Sequence, residues 1–251
     1  MSVVHAHASP PATILNLGCG SRTSPAMVNI DFSVYLRVRR APVISAAAGT
    51  LLRGARREQF RQIDKTIVVH DLRRGIPATT ASVDVVYHSH VLEHIDRSHV
   101  AAFFGEIHRV LRPDGIHRVV VPDLELLART YLDSVENAKR APSAQERHDA
   151  SVGRMIEQMV RREPFGTSQQ GSVARWLENT FLGDARKRGE THQWMWDQVN
   201  LSAALTGAGF HSIRRVDHTT SDIAQWDEIG LDRSDDGSAY KPGSLFMEAR
   251  G

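Results

Sequence analysis

Ile14-Leu15-Asn16-Leu17-Gly18-Cys19-Gly20-Ser21 is the stretch on which the reading of this chain turns. A short apolar run over 12–17 enters Gly-x-Gly, the pattern of a buried strand running into a tight turn. Without a Cβ, the two glycines allow a ligand to approach the backbone closely. In open α/β sheets such ligands sit at the carboxyl ends of the strands, near the point where the strand order reverses. A single Gly-x-Gly occurs in many turns, so the weight rests on the residues downstream of it.

Short apolar strands are predicted at 27–32, 65–70, 83–87 and 116–121, and two more at 211–216 and 244–249. With the first, they make seven. Between them, 34–62 reads as helical or irregular, with Pro42 and a small-residue stretch at 45–49, and 73–82 as a loop with Gly75 and Pro77. The segment 99–111 has helical apolar spacing through Val100, Phe103, Phe104, Ile107, Val110 and Leu111, and Arg112-Pro113-Asp114-Gly115 supplies turn chemistry after it. Strands alternating with helices predict a mostly parallel, doubly wound α/β sheet with right-handed crossovers. The polar, helix-like segment 124–190, with a Gly/Gln/Ser loop at 166–172, breaks that rhythm and is expected to be a helical insertion or cap. A helix over 196–208 and a polar loop over 222–242 complete the pattern. The whole is read as one domain: a core at 12–123, the insertion at 124–190, and a part at 191–251 that completes the sheet.

Asp31 closes the second strand, and a carboxylate there can accept both hydroxyls of an adenosine ribose. His70-Asp71-Leu72 ends the third strand, within reach of an adenine edge. Further on come Ser82-Val83-Asp84-Val85-Val86-Tyr87-His88-Ser89-His90-Val91-Leu92-Glu93-His94-Ile95 and then Arg109-Val110-Leu111-Arg112-Pro113-Asp114-Gly115. In this order the stretches LNLGCG, VNIDFS, HDLRRGIP, SVDVVYHSHVLEHI and RVLRPDGIHRVVVPDLE resemble the class I S-adenosylmethionine-dependent methyltransferases, whose fold is Rossmann-like. HQWMWD, LTGAGF and KPGSLFMEAR further resemble a bacterial branch tied to glycan and polysaccharide methylation. The resemblance implies S-adenosyl-L-methionine as cofactor. It places Asn16, Gly18 and Gly20 by the methionine part, Asp31 on the ribose, Asp71 and Leu72 beside the adenine, and His88 and Ser89, with His90, near the sulfonium. Two positions depart from the family's pattern: Asn16 stands where an acid is usual, and Arg22 where a third glycine is common.

Methyl transfer from a sulfonium is an in-line displacement, in which the protein aligns the acceptor and excludes water. A hydroxyl acceptor also needs a general base or a metal. His90 is the first candidate base and His192 the second, while Asp123 could act as base or orient the acceptor. Trp194 and Trp196 are core residues or a flat wall for a sugar ring, and Glu93 and His94 are read as capping the next helix. Asp123 with a histidine offers donors for Mg²⁺, but no ligand spacing indicates that ion, and His88 with His90 is not read as one metal site. The acceptor implied is a sugar or oligosaccharide hydroxyl, with a small natural-product hydroxyl or amine as the alternative.

Other classes fare worse. A nicotinamide-dependent oxidoreductase needs a third glycine where Thr23 stands, and its ribose acid lies farther along than Asp31. A non-catalytic binding protein of the same fold would not need so many polar groups at the strand ends. A net charge of +2 gives no argument for nucleic acid. The arginines between Arg37 and Arg61 read as a solvated helix face. The single cysteine, Cys19, excludes an internal disulfide. Residues 1–11 lack the pattern of a signal peptide and no apolar run is of membrane-spanning length, so a cytoplasmic protein is expected.

Overall fold

A computed structural model describes residues 12–32, 36, 66–158 and 192–251. It contains a seven-stranded sheet of β1 (Ile14–Leu17), β2 (Val28–Asp31), β3 (Val68–Val69), β4 (Val83–Ser89), β5 (Leu111–Pro122), β6 (His211–Val216) and β7 (Ser244–Arg250), in the order β3-β2-β1-β4-β5-β7-β6. The first five strands are parallel, and β7 runs antiparallel to both β5 and β6. The expectation of a mostly parallel seven-stranded sheet is met. The arginine segment, the 34–62 region apart from Leu36, and the 166–172 loop lie outside the described residues.

Both faces of the sheet are covered, and successive side chains of the strands go to opposite faces. Leu15, Leu17, Val86, Val119 and Val121 share one core with Val100, Phe103, Phe104, Ile107 and Val110 of α1 (Arg97–Val110) and with Leu201 and Leu205 of α4 (Gln198–Gly207). Ile14, Val85, Tyr87 and Val120 face the other way, onto Ile223, Trp226 and Leu231. The segment 222–242 is therefore not merely a polar loop. Its three buried apolar side chains, with Ile229 of α5 (Trp226–Ile229) and Ala239 packed against them, are the cover of the second face. Three buried residues spread over nine positions make no periodic signal.

Helix α1 starts at the Asp96 cap, whose carboxylate accepts from the Ser98 N–H, and not at Glu93 or His94. It passes directly into β5, which begins at Leu111 rather than at 116. The Arg112-Pro113-Asp114-Gly115 turn chemistry is spent on an irregularity inside the strand, where Asp114 has φ +61° and the register against β4 shifts. Beyond β5, α2 (Leu124–Arg140) and α3 (Gln145–Gln158) pack on each other as a hairpin, the described part of the expected insertion.

The antiparallel half is pinned by Arg118 of β5, which has no solvent exposure. Its Nε donates to Asp232 Oδ2 at 2.8 Å and its Nη1 to Glu248 Oε1 at 2.7 Å. Other guanidinium N–H groups reach the carbonyls of Thr220 and Asp217. Trp226 lies 4.8 Å from the guanidinium, and Tyr87 Oη donates to the other oxygen of Asp232 at 2.7 Å. One buried cation thus ties together β5, β7 and the cover of the second face. Removing one partner of such a network strands the others without solvent. Arg118→Met is expected to lower unfolding stability by about 3–5 kcal/mol, read from urea denaturation at neutral pH.

Glu106 on α1 accepts from the Ile76 N–H and pairs with Arg109 at 2.7 Å. The pairing with Arg109 and then the Ile76 bond hold its carboxyl down at about 2, against 4.5 for the free side chain. Its contribution is present above about pH 4.5 and is lost as pH falls toward 2. Thermal midpoints measured across that window should fall less steeply in Glu106→Gln than in the parent.

Candidate functional site

The carboxyl ends of β1, β2 and β4 meet where the strand order reverses, and the candidate residues gather there. After β1 the chain turns through Gly18 and Gly20, at φ +64° and +53°, a left-handed conformation that glycine adopts at no steric cost. A Cβ on Gly18 would stand 2.5 Å from Val91 Cγ2, so this glycine also lets the turn after β1 pack on the turn after β4. At Gly20, which is exposed, a Cβ would meet nothing within 4 Å among the described residues. Asp31 at the end of β2 accepts from the Gly20 N–H at 2.8 Å, which brings glycine turn and carboxylate together. These residues fit an adenosyl cofactor: open backbone at Gly20, and an acid at the adjacent strand end.

Asn16 is placed differently. It is buried, and its amide donates to Asn29 Oδ1 and to the Arg22 carbonyl, so it braces the loop from within. Arg22, at the position where a third glycine is common, donates to the carbonyls of Gly230 and Leu231 and anchors the loop to the segment after α5. Asp71 caps the short turn Leu72–Arg74 and pairs with Arg73 at 2.7 Å, while Leu72 packs against the core. That pairing holds the Asp71 carboxyl below its ordinary range.

Strand β4 ends at Ser89, and His88 is not in the cleft. Its ring has no exposure, lies edge-on to Phe103, and its Nε2 is 3.0 Å from His117 Nε2. Burial pushes the His88 imidazole down to about 4, and burial together with His88 depresses His117 further. The pair is neutral, one ring donating to the other, and is part of the packing under α1. Residues two apart in a regular strand share a face. His90 escapes that rule because its φ is +55°, which turns it out of the strand line.

His90 is held from both sides. Its Nε2 is 2.9 Å from Ser244 Oγ at the start of β7, and its Nδ1 is 3.1 Å from Glu93 Oε1. Glu93, read from sequence as part of a helix cap, is the missed residue of the site. It has no solvent exposure, and among the described residues the titratable side chains beside it are histidines: His90 and, at 4.0 Å, His94. Burial works to raise its carboxyl pKa, but His90 and His94 outweigh burial and keep it below the ordinary value. The His-x-x-Glu-His spacing was the available signal.

His192 joins the same corner. The Glu93 carbonyl accepts from the N–H groups of Gln193 and Trp194, and the His192 ring stands 5.0 Å from that of His94. His192 Nδ1 is 3.1 Å from the carbonyl of Gln158, at the end of α3. Asp123 is not available as a base or as an Mg²⁺ ligand: one oxygen caps α2 through Leu126, and the other pairs with Arg215 at 2.8 Å. Trp196 belongs to the core, and Trp194 is partly buried beneath the Arg97 guanidinium at 4.1 Å. The structure thus joins Gly18, Gly20 and Asp31 in one cluster and His90, Glu93, His94 and His192 in another, with Val91 against Gly18 between them.

No curated protein matches the chain. Among solved structures it is similar to an S-adenosylmethionine-dependent methyltransferase from Archaeoglobus fulgidus, at 11% identity over 96% of this chain and 86% of that one, with a TM-score of 0.43. It is also similar to one from Mesorhizobium loti, at 16% identity over 96% and 91%, with a TM-score of 0.41. No helix among the described residues is long and apolar enough to cross a membrane. Residues 15–119, from β1 into β5 and including both clusters except His192, match the family described as methyltransferase domain.

Proposed function

We propose that the chain transfers a methyl group to a hydroxyl of a sugar or oligosaccharide, with His90 as the general base. The observation that carries this reading is the Glu93–His90 pair. A carboxylate oxygen 3.1 Å from Nδ1 favours, through its charge, the tautomer with the proton there and Nε2 as the basic atom, the arrangement that prepares a histidine to take a proton from a hydroxyl. Nε2 already faces one hydroxyl, that of Ser244. An acceptor hydroxyl in that position would meet the same lone pair.

The cofactor, when bound, supplies a methyl group already activated by its sulfonium charge. Asp31 would hold the ribose and the Gly18–Gly20 backbone the methionine end, with Ser89 at the neighbouring strand end. The pairing of Asp71 with Arg73 leaves Leu72 the more suitable of the two for an adenine face. The sugar acceptor is supported by the sequence resemblance and by the polar character of the corner formed by His90, His94, His192 and Ser244. The α2–α3 hairpin would cap the acceptor side, since the carbonyl of Gln158 at its end holds His192.

Two measurements test the reading. Asp31→Ala is expected to weaken S-adenosylmethionine binding by about 10- to 100-fold in calorimetry, the cost of a charged hydrogen bond. Unchanged affinity would remove the ribose assignment. His90→Ala is expected to lower kcat by about 10²- to 10⁴-fold while leaving cofactor affinity unchanged. The assay is mass-spectrometric detection of methyl transfer to candidate glycan fractions. Transfer only to a non-carbohydrate acceptor would remove the sugar.

A further inference from the structure

We propose that Glu93, His94 and His192 form a binding site for a divalent first-row transition-metal ion at the carboxyl edge of the sheet. One donor atom from each of the three lies within 4.8 Å of the other two. Donors about 2.1 Å from a shared ion stand at most about 4.2 Å apart, so closure on an ion needs side-chain shifts of less than about an ångström.

Three features of the corner point to a cation. The first is the carboxylate. Glu93 has no exposure, neither oxygen has a well-aligned hydrogen bond, and among the described residues no arginine or lysine pairs with it. A buried carboxylate without a fixed positive partner is costly, and an ion between the imidazoles would offset that cost. The second is the tautomer of His192. A carbonyl can only accept, so the bond to Gln158 places the proton on Nδ1 and leaves the Nε2 lone pair for a ligand. The third is backbone support: Gln193 and Trp194 donate to the Glu93 carbonyl, so His192 is held beside Glu93 by the main chain. Two imidazoles and one carboxylate suit Zn²⁺, Mn²⁺ or Fe²⁺. Mg²⁺, which favours an all-oxygen shell, is the poorer match. Three protein ligands also leave positions open, as in metal sites that take water or a substrate oxygen. Because Glu93 has two oxygens, it can face His90 with one and the ion with the other. The site thereby joins the proposed base, through one carboxylate.

The test uses the full chain, stripped with a chelator and freed of it, then dialysed against Zn²⁺ or Mn²⁺ with the bound metal counted per mole of protein. One equivalent is expected. His94→Ala and His192→Ala should each weaken binding by at least about tenfold, with circular dichroism showing that the fold is retained. His99→Ala, at an exposed position on α1, should leave binding unchanged. Loading with Co²⁺ should give a visible absorption band that both site variants lose. A folded parent that takes up no metal, or uptake that survives both site variants together, would overturn the proposal and leave Glu93 balanced by protonated histidines. Calorimetry with S-adenosylmethionine on the stripped and loaded samples keeps the two readings apart. Lost cofactor binding with metal retained counts against the cofactor pocket alone, and the reverse counts against the metal site alone.

Discussion

The parallel pairing of β1 with β4 is the constraint from which the site arises. After β1 the chain builds outward through β2 and β3, then returns past β1 to form β4 on its other side. The turns leaving β1 and β4 must therefore diverge, and the space between them is where ligands of open α/β sheets bind. In this chain the two turns still touch at one point, Gly18 against Val91. That contact is available only to a residue without a Cβ, and it sets the glycine turn beside the histidine-bearing turn. Asp31 is added because β2 ends at the same edge.

The second half of the sheet contributes through direction rather than proximity in sequence. Since β7 runs opposite to the parallel strands, its first residue, Ser244, lies at their carboxyl ends, opposite Pro122. This is how a hydroxyl 154 residues away comes to stand 2.9 Å from His90. The Arg118 network holds β7 in that register, because Asp232 and Glu248 both pair with the same guanidinium. Stability in the core and geometry at the site are coupled through one strand.

Much of the architecture was legible because it rests on local physics. Alternation of apolar strands with helical spacing announced the doubly wound sheet, and Gly-x-Gly with Asp31 marked its working edge. The site was less legible because burial and partners decide a side chain's role. His88, Asn16 and Asp123 have suitable chemistry at suitable strand ends. In the fold their polar atoms are committed to His117, to the Arg22 carbonyl and Asn29, and to Arg215. Glu93 was passed over because a Glu just before a helix ordinarily serves the helix, whereas here Asp96 does so and Glu93 turns inward.

From its sequence alone, this protein has its element order, its glycine turn and the acid beyond it, since each depends on residues close together along the chain. Tertiary structure alone decided which histidines face the cleft. His88 and His90 differ by two positions, yet a single left-handed residue after β4 sends one ring into the core and the other toward Glu93 and Ser244. Only folding brings His192 to the same corner, because that meeting depends on backbone hydrogen bonds between segments about a hundred residues apart, and no local pattern encodes such a distance.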